Sequence, residues 1–154
     1  MKILVLSDSH GHAENLFTIA SQHQDADVII HLGDGEGDMQ VLKEIPGMTG
    51  KRIIQVAGNC DFASDHPITT FETIDGVKFY ITHGYVQHVK FGVAMLYKDA
   101  KDNGREVALF GHTHSQFLET EGDVKLFNPG AVMNGKYGII NIHNGIIDFS
   151  HEAL

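Results

Sequence analysis

Five short apolar runs, each followed at once by polar side chains and a glycine, constrain the fold of this chain more than any other feature. The first three runs cover residues 2–6, 27–31 and 51–57, and stretches of helical periodicity separate them. Strands that alternate with helices pair in parallel, because each helix returns the chain to the same end of the sheet. The sequence therefore predicts a βαβαβ first half, with helices over about residues 12–22 and 38–45.

Hairpin signals dominate the second half. Asp75-Gly76 and Asn144-Gly145 each lie between two apolar runs, which is typical of two-residue β-turns. The predicted elements are strands over 68–74, 77–82, 106–110, 116–120, 124–127, 137–143 and 146–150, and a helix over 89–102. A chain of 154 residues supports one domain, so we predict a single domain over 1–154. Its fold class is α/β: a two-sheet β-sandwich flanked by helices, which would use every element.

Composition and charge restrict the partners. The formal charge of −9 argues against a surface that coats nucleic acid, and no apolar run is long enough to cross a membrane. The single cysteine, Cys60, predicts the absence of an internal disulfide and favours a reducing, cytoplasmic location. The hairpins could pair subunits, but no stretch demands a homo-oligomer.

The polar side chains after the five runs form the candidate site, because ligands bind beyond the carboxyl ends of such strands. They are Asp8, His10, Asp34, Asn59, His83, His112 and His114. Carboxylate oxygens and imidazole nitrogens suit divalent Mn, Fe, Ni or Zn. Seven donors are too many for one ion. Two ions about 3.5–4 Å apart, bridged by a carboxylate, would activate a water and clamp a phosphate ester for in-line attack.

Each residue taken alone has a simpler explanation. Asp8 could belong to a helix N-terminus, Asn59 could form a turn, and the two histidines of Gly111-His112-Thr113-His114 could be solvated. The simpler explanation fails for all seven side chains together, since each of them follows a strand.

Other polar residues are assigned structural roles. We predict that His31 is a hydrogen-bonded core histidine and that His12 caps the first helix, with phosphate contact as a second option. Glu36 and Asp38 are predicted in the first turn of the second helix, where negative charge is favourable. The predicted surface histidines are His23, His66, His88, His143 and His151.

Five ordered motifs resemble those of the calcineurin-like metallophosphoesterases. They are Asp8-Ser9-His10, Gly33-Asp34, Gly58-Asn59-Cys60-Asp61, His83-Gly84 and Gly111-His112-Thr113-His114. Within that family the chain is most similar to the small bacterial and archaeal phosphodiesterase branch called YfcE-like. The resemblance implies a β-sandwich flanked by helices and a small phosphate-ester substrate, cleaved by a metal-bridging hydroxide.

The resemblance also implies a ligand set and further roles. One metal would be held by Asp8, His10, Asp34 and His114, and the other by Asp34, Asn59, His83 and His112. Manganese is the first choice of metal, with nickel, iron or zinc as alternatives. The side chains expected to act in catalysis are Asp34, Asn59, Asp61 and His83, with Asn59 touching the phosphate. Asp61 would orient a histidine ligand or a water, and Cys60 and His12 would lie beside the ligands.

Cys60 bears on the substrate class. Many larger relatives have a histidine at this position, which is thought to protonate the leaving group. A neutral thiol is a weaker acid–base group at neutral pH, so the sequence favours diesters or activated esters over ordinary monoesters.

Two alternatives are kept. Some proteins of this fold are catalytically silent interaction scaffolds, as in the retromer coat, but those have lost ligands that this chain retains. A mononuclear metal hydrolase is the other alternative, and it would bind about one ion per chain.

Overall fold

The computed structural model describes residues 1–154, and ten strands form two five-stranded sheets. The strands are β1 (Lys2–Leu6), β2 (Val28–His31), β3 (Arg52–Gln55), β4 (Thr69–Ile74), β5 (Val77–Thr82), β6 (Val107–Leu109), β7 (Gln116–Glu121), β8 (Val124–Pro129), β9 (Lys136–His143) and β10 (Ile146–Ala153). The helices are α1 (Ala13–Gln22) and α2 (Ala94–Asp102). Neither helix has the length and apolar character that a membrane crossing requires.

The sheets bring their parallel strands to the same end of the molecule. The first sheet has the order β10-β9-β1-β2-β3, and Leu6, His31 and Gln55 are in register at the carboxyl ends of its three parallel strands. The second sheet has the order β4-β5-β6-β8-β7, with Ile81 level with Leu109 on neighbouring parallel strands. The loops that leave these strands are therefore neighbours.

Three apolar layers hold the sandwich together. The central layer lies between the sheets, where Val5, Phe79 and Phe127 are fully buried. A second layer packs α1 on the first sheet through Leu16. A third layer packs α2 on the second sheet through Leu96. The predicted α/β sandwich with flanking helices is confirmed, and so are the parallel β1-β2-β3 sheet and the Asp75-Gly76 and Asn144-Gly145 hairpins.

The predicted second α-helix over 38–45 is wrong in type. The structure has a 3₁₀ helix over Glu36–Glu44, followed by a short 3₁₀ turn over Pro46–Met48. Met39 and Leu42 are the buried residues of the longer 3₁₀ helix, and a spacing of three residues matches the repeat of a 3₁₀ helix. Gly37 also weakens the case for an α-helix here.

The predicted helix over 89–102 is divided in two. A 3₁₀ turn covers Val89–Phe91, and α2 starts only at Ala94. Gly92 lies between them with a φ of 128°, a conformation that no α-helix contains and that residues with a side chain rarely adopt. Helical spacing of the apolar residues continues through this break, which is why the sequence pattern did not reveal it.

Candidate metal centre

Six of the seven predicted metal ligands come together in three overlapping groups. Within each group the possible ligand atoms lie within 4.8 Å of one another. The groups are Asp8 with His10 and His114, Asp34 with His83 and His112, and His10 with Asp34 and Cys60. The third group connects the other two, because it shares His10 with one and Asp34 with the other.

The two aspartates have the same arrangement of contacts. Asp8 Oδ2 accepts hydrogen bonds from the Ser7 hydroxyl and from the backbone N–H of His112, at 3.1 Å from the latter. Asp34 Oδ1 accepts the backbone N–H of Cys60 at 2.7 Å. In each carboxylate, one oxygen is thus fixed by the protein while the other faces the group of imidazoles.

The other oxygen of each carboxylate faces imidazole ring nitrogens at 3.2–3.6 Å. Asp8 Oδ1 lies 3.2 Å from Nε2 of His114 and 3.6 Å from that of His10. Asp34 Oδ2 lies 3.2 Å from Nε2 of His83 and 3.6 Å from that of His10. Asp8 Oδ1 and the Nε2 atoms of His10 and His83 are buried without a hydrogen-bond partner. Buried polar atoms without partners are rare, so this donor set fits divalent cations.

Hydrogen bonding aims the His83 ring at the cluster. Its Nδ1 donates to the carbonyl oxygen of Leu32 at 2.7 Å, which leaves Nε2 as the atom that can bind a metal. The His83 side chain is almost completely buried, so its orientation is fixed by packing as well.

The pKa values reflect a buried negative cluster with no lysine or arginine bonded to it. Burial would raise the pKa of Asp34, but the imidazole of His83, 3.2 Å away, outweighs it and lowers the pKa to about 2. Burial would lower the pKa of His83, yet Asp34 and Asp8 raise it. Burial and the neighbouring His83 lower the pKa of His112. The raised pKa of His83 reflects the same buried negative charge that a bound cation would balance.

Backbone strain is concentrated at the predicted ligands. Asp8, His10, Asp34, His112 and His114 all have positive φ, between 42° and 68°. The left-handed conformation costs a residue with a side chain roughly 1–2 kcal/mol. Such strain persists where surrounding structure imposes it, and it clusters at functional sites.

Glycines allow the loops to approach one another. A Cβ on Gly58 would lie 2.1 Å from Asp34 Oδ1, and a Cβ on Gly33 would lie 2.6 Å from the backbone nitrogen of Gly58. A larger residue at Gly58 would displace the Asp34 carboxylate, and one at Gly33 would push the two loops apart. Both positions therefore require glycine because the loops are so close.

Asp61 fixes the backbone rather than a histidine ring. Its carboxylate accepts four backbone N–H groups at 2.7–3.1 Å, from Asp34, Gly35, Glu36 and Gly58. Burial would raise the pKa of Asp61, but these hydrogen bonds lower it below its ordinary value. No contact of Asp61 with a histidine ring accompanies these four hydrogen bonds, and its predicted role toward a histidine ligand or a water stays a prediction.

Asn59 and Cys60 are exposed at the rim of the cluster. The Asn59 amide nitrogen lies 3.6 Å from Cys60 Sγ, and no contact of Asn59 with the aspartates or histidines accompanies it. Its role as a ligand stays a prediction. Burial of the sulfur and the nearby Asp34 raise the pKa of the Cys60 thiol, so the neutral form is favoured.

His12 occupies the N-cap position of α1, but the predicted side-chain cap is wrong. Its Nδ1 lies 3.1 Å from the carbonyl oxygen of Ser9 and 3.3 Å from that of His10. A ring nitrogen that faces carbonyls is a donor, whereas a cap must accept from helix N–H groups. The contact with the loop of His10 places His12 beside the ligands.

The prediction for His31 is confirmed. The ring is buried, with Nε2 at 3.0 Å from Ser9 Oγ and Nδ1 accepting the N–H of Gly33. Burial lowers the pKa of His31 to about 4. Glu36 and Asp38 lie in the first turn of the 3₁₀ helix, and Asp38 accepts the N–H of Gly11 at 2.9 Å.

Two further side chains support the site, and sequence reasoning assigned neither of them a defined role, although the resemblance implied that the turn at Asn128 lies nearby. Asn128 is fully buried, and its Nδ2 donates to the carbonyl oxygen of Gly111 and to Thr113 Oγ1, both at 3.0 Å. Ser7 holds Asp8. An asparagine directly after the apolar strand residues Leu126 and Phe127 was the available signal.

Comparison with known proteins fits this geometry. Residues 1–145 match the model of the calcineurin-like phosphoesterase superfamily domain. The chain belongs to that family. A probable metallophosphoesterase, YsnB of Bacillus subtilis, is 32% identical over 94% of this chain and 86% of its own length. The phosphodiesterase YfcE of Escherichia coli is 29% identical over 90% of this chain and 83% of its own length, as the YfcE-like motifs predicted.

Solved structures share the fold over the whole chain. An archaeal phosphodiesterase superposes with a TM-score of 0.78 at 26% identity and covers 100% of both chains. A zinc complex of Vps29 from Entamoeba histolytica superposes with a TM-score of 0.77 at 16% identity and covers 99% of both chains. At that identity the Vps29 likeness concerns the fold alone.

Proposed function

We propose that this family member is a dinuclear metal-dependent phosphodiesterase acting on small phosphate esters. One observation carries the proposal: Asp8 and Asp34 each present one carboxylate oxygen to buried imidazole nitrogens while the other oxygen is fixed. Bringing two carboxylates and four imidazoles together, with no lysine or arginine paired to the carboxylates, is unfavourable unless cations complete the site.

The overlapping groups support a division into two ion sites. Asp8, His10 and His114 would hold one ion, and Asp34, His83 and His112 would hold the other. Asp34 also lies close to His10, which favours Asp34 as the shared ligand. Asn59 is the remaining candidate donor, and we propose that its exposed amide also contacts a phosphate oxygen. The mixed oxygen and nitrogen set suits manganese, with nickel, iron and zinc as alternatives.

Two divalent cations held by these residues would lower the pKa of a water to supply a nucleophile and would neutralise the phosphate oxygens. The residues of the chain hold the proposed ligands in position. Asp61 fixes the loop that carries Asp34, and the Leu32 carbonyl fixes the ring of His83. Because these contacts exist before substrate binds, little reorganisation is needed during the reaction.

The preference for diesters rests on Cys60. Its thiol has a raised pKa and lies next to His10 and Asp34, where the neutral form donates weakly. Protonation of a poor leaving group would receive little help, which favours diesters or activated esters. A diester also carries less negative charge than a monoester, which suits a site whose carboxylates pair with no lysine or arginine.

The test is metal reconstitution. The chelated protein is loaded with manganese, nickel, iron or zinc, and the ions per chain are counted by elemental analysis. Hydrolysis of bis(p-nitrophenyl) phosphate and p-nitrophenyl phosphate is then compared. We expect two ions per chain and faster cleavage of the diester. About one ion per chain at full activity would favour a mononuclear hydrolase, and two ions without turnover would favour a scaffold.

A Cys60→His variant isolates the reason for the preference. It should raise monoester cleavage relative to diester cleavage, because an imidazole is a better proton donor at neutral pH. An unchanged ratio of the two rates would remove this argument.

A further inference from the structure

A small apolar pocket adjoins the second ion group. It measures about 70 Å³, and its walls are formed by Asn59, Ile68, His83, Tyr85 and Val86, with backbone from the glycine turns. His83 belongs both to this wall and to the group with Asp34 and His112. Whatever occupies the pocket is therefore next to the proposed reaction centre.

Three large apolar side chains at this pocket face solvent. Ile68 is 58% exposed, Tyr85 57% and Val86 53%. Apolar groups that are exposed together beside a polar centre mark a binding surface more often than single exposed residues do. The carboxylates and imidazoles nearby bind the charged part of a substrate, and these three side chains do not contribute to that.

The Tyr85 ring has a defined orientation toward the cluster. It packs edge-on against His112, with ring centroids 5.5 Å apart and planes at 88°. This contact orients the tyrosine ring relative to a predicted ion ligand, and an oriented ring is a suitable partner for a bound ring.

The segment that carries Tyr85 and Val86 is anchored to the sheet. Gln87 is buried, its Nε2 donates to the Tyr80 hydroxyl at 3.0 Å, and its Oε1 accepts from Thr82 at 3.3 Å. On the other side, Gly84 adopts a φ of 107° and lies against Val89. Because these contacts fix the segment in advance, a ligand would not have to order it.

We propose that this pocket binds an aromatic or similarly flat apolar ester group of the substrate and that Tyr85 determines the preference for it. The proposal rests on the proposed phosphodiesterase function. It specifies the substrate class: a phosphate ester in which at least one substituent is an aryl group or a comparable ring. A short alkyl substituent would leave the tyrosine face uncovered.

The test measures binding of two compounds that are not hydrolysed, phenylphosphonate and methylphosphonate, to the metal-reconstituted protein by calorimetry. We expect the phenyl compound to bind about tenfold more tightly, since stacking and burial of one ring contribute on that scale. Tyr85→Ala should remove most of this preference while leaving methylphosphonate affinity and the ions per chain unchanged.

Two further variants separate the ring from its surroundings. Tyr85→Phe keeps the ring and should keep the preference. Phe91→Ala removes a 92% exposed aromatic side chain that does not line the pocket, and it should also keep the preference.

Several outcomes would overturn the inference. Equal affinity for the two compounds in the unaltered protein would exclude an aromatic subsite while leaving the phosphodiesterase proposal standing. A Tyr85→Ala variant that loses affinity for both compounds equally would show that Tyr85 acts only through His112. If neither compound bound the metal-loaded protein, the aromatic subsite would be excluded, and the ion count with the diester assay would decide the proposed function separately.

Discussion

Two sets of left-handed residues in this molecule differ in what imposes their conformation. In the hairpin turns, Asp75-Gly76 has φ values of 48° and 80°, and Asn144-Gly145 has 50° and 78°. These values suit the twist of the flanking strands, and aspartate, asparagine and glycine tolerate them. At the metal centre, His112 and His114 adopt φ values of 68° and 63° without such help.

The difference lies in which contacts impose the strained backbone conformation. A turn is determined by its own two residues and stays exposed. The left-handed histidines are held by contacts from distant parts of the chain, such as the bond from the His112 N–H to Asp8 and the hold of Asn128 on Gly111. Strain imposed by tertiary structure points to function, whereas strain in a turn does not.

The largest effect is expected for Asp34→Asn. This change removes the charge of the carboxylate proposed as the shared ligand, so phosphodiesterase activity should fall by about a thousandfold or more and metal retention should weaken. The far-ultraviolet circular dichroism should remain, since the amide can still accept the Cys60 N–H. Asp75→Asn, a left-handed aspartate in a turn, is the matched control and should keep full activity. Full activity of Asp34→Asn would refute the assignment.

Two glycine substitutions separate the effect of steric crowding from the effect of backbone conformation. Gly58→Ala places a Cβ 2.1 Å from Asp34 Oδ1, so metal affinity should fall about 10- to 100-fold, measured by titration with manganese. Gly76→Ala meets no atom within 4 Å, but its φ is 80°. It should therefore cost about 1 kcal/mol of unfolding free energy with metal affinity unchanged. Similar metal affinities for the two variants would contradict the proposed crowding at Asp34.

A buried histidine behind the site should make stability depend on pH. Burial lowers the pKa of His31 from 6.5 to about 4, so the unfolded chain binds a proton that the folded chain excludes. Stability from this group is fully present above pH 6.5 and declines as the pH falls toward about 4, by up to ~3 kcal/mol.

Urea unfolding of metal-free protein across this pH range measures the effect. His31→Gln cannot titrate and should flatten the slope, even if its stability at neutral pH is lower. The same slope in both proteins would exclude His31 as its source.

The smallest effect is expected in the second turn. Asn144→Ala retains the hairpin but loses a residue that tolerates a φ of 50°, so the free energy of unfolding should fall by about 1 kcal/mol. Activity should not change, because the turn is remote from the ligands in sequence and exposed. A loss of metal in this variant would break the distinction between turn strain and site strain.

The sequence was sufficient where local patterns decide structure. Apolar runs predicted the strands, asparagine or aspartate with glycine predicted the hairpins, and polar residues after strands predicted which side chains meet. It was insufficient for the 3₁₀ helix over Glu36–Glu44 and for the break at Gly92, because the same apolar spacing fits more than one helical form.

Tertiary structure alone decided how the site is held. From the sequence alone, the Asp61 carboxylate could contact a histidine ring or backbone N–H groups. The folded loop around Asp34 determines that it accepts four backbone N–H groups. The left-handed histidines and the support from Asn128 arise in the same way. These features depend on groups far apart in the chain, so no local pattern encodes them. The sequence determined which donors gather at the sheet ends, and the folded loops determined which atom of each donor is free.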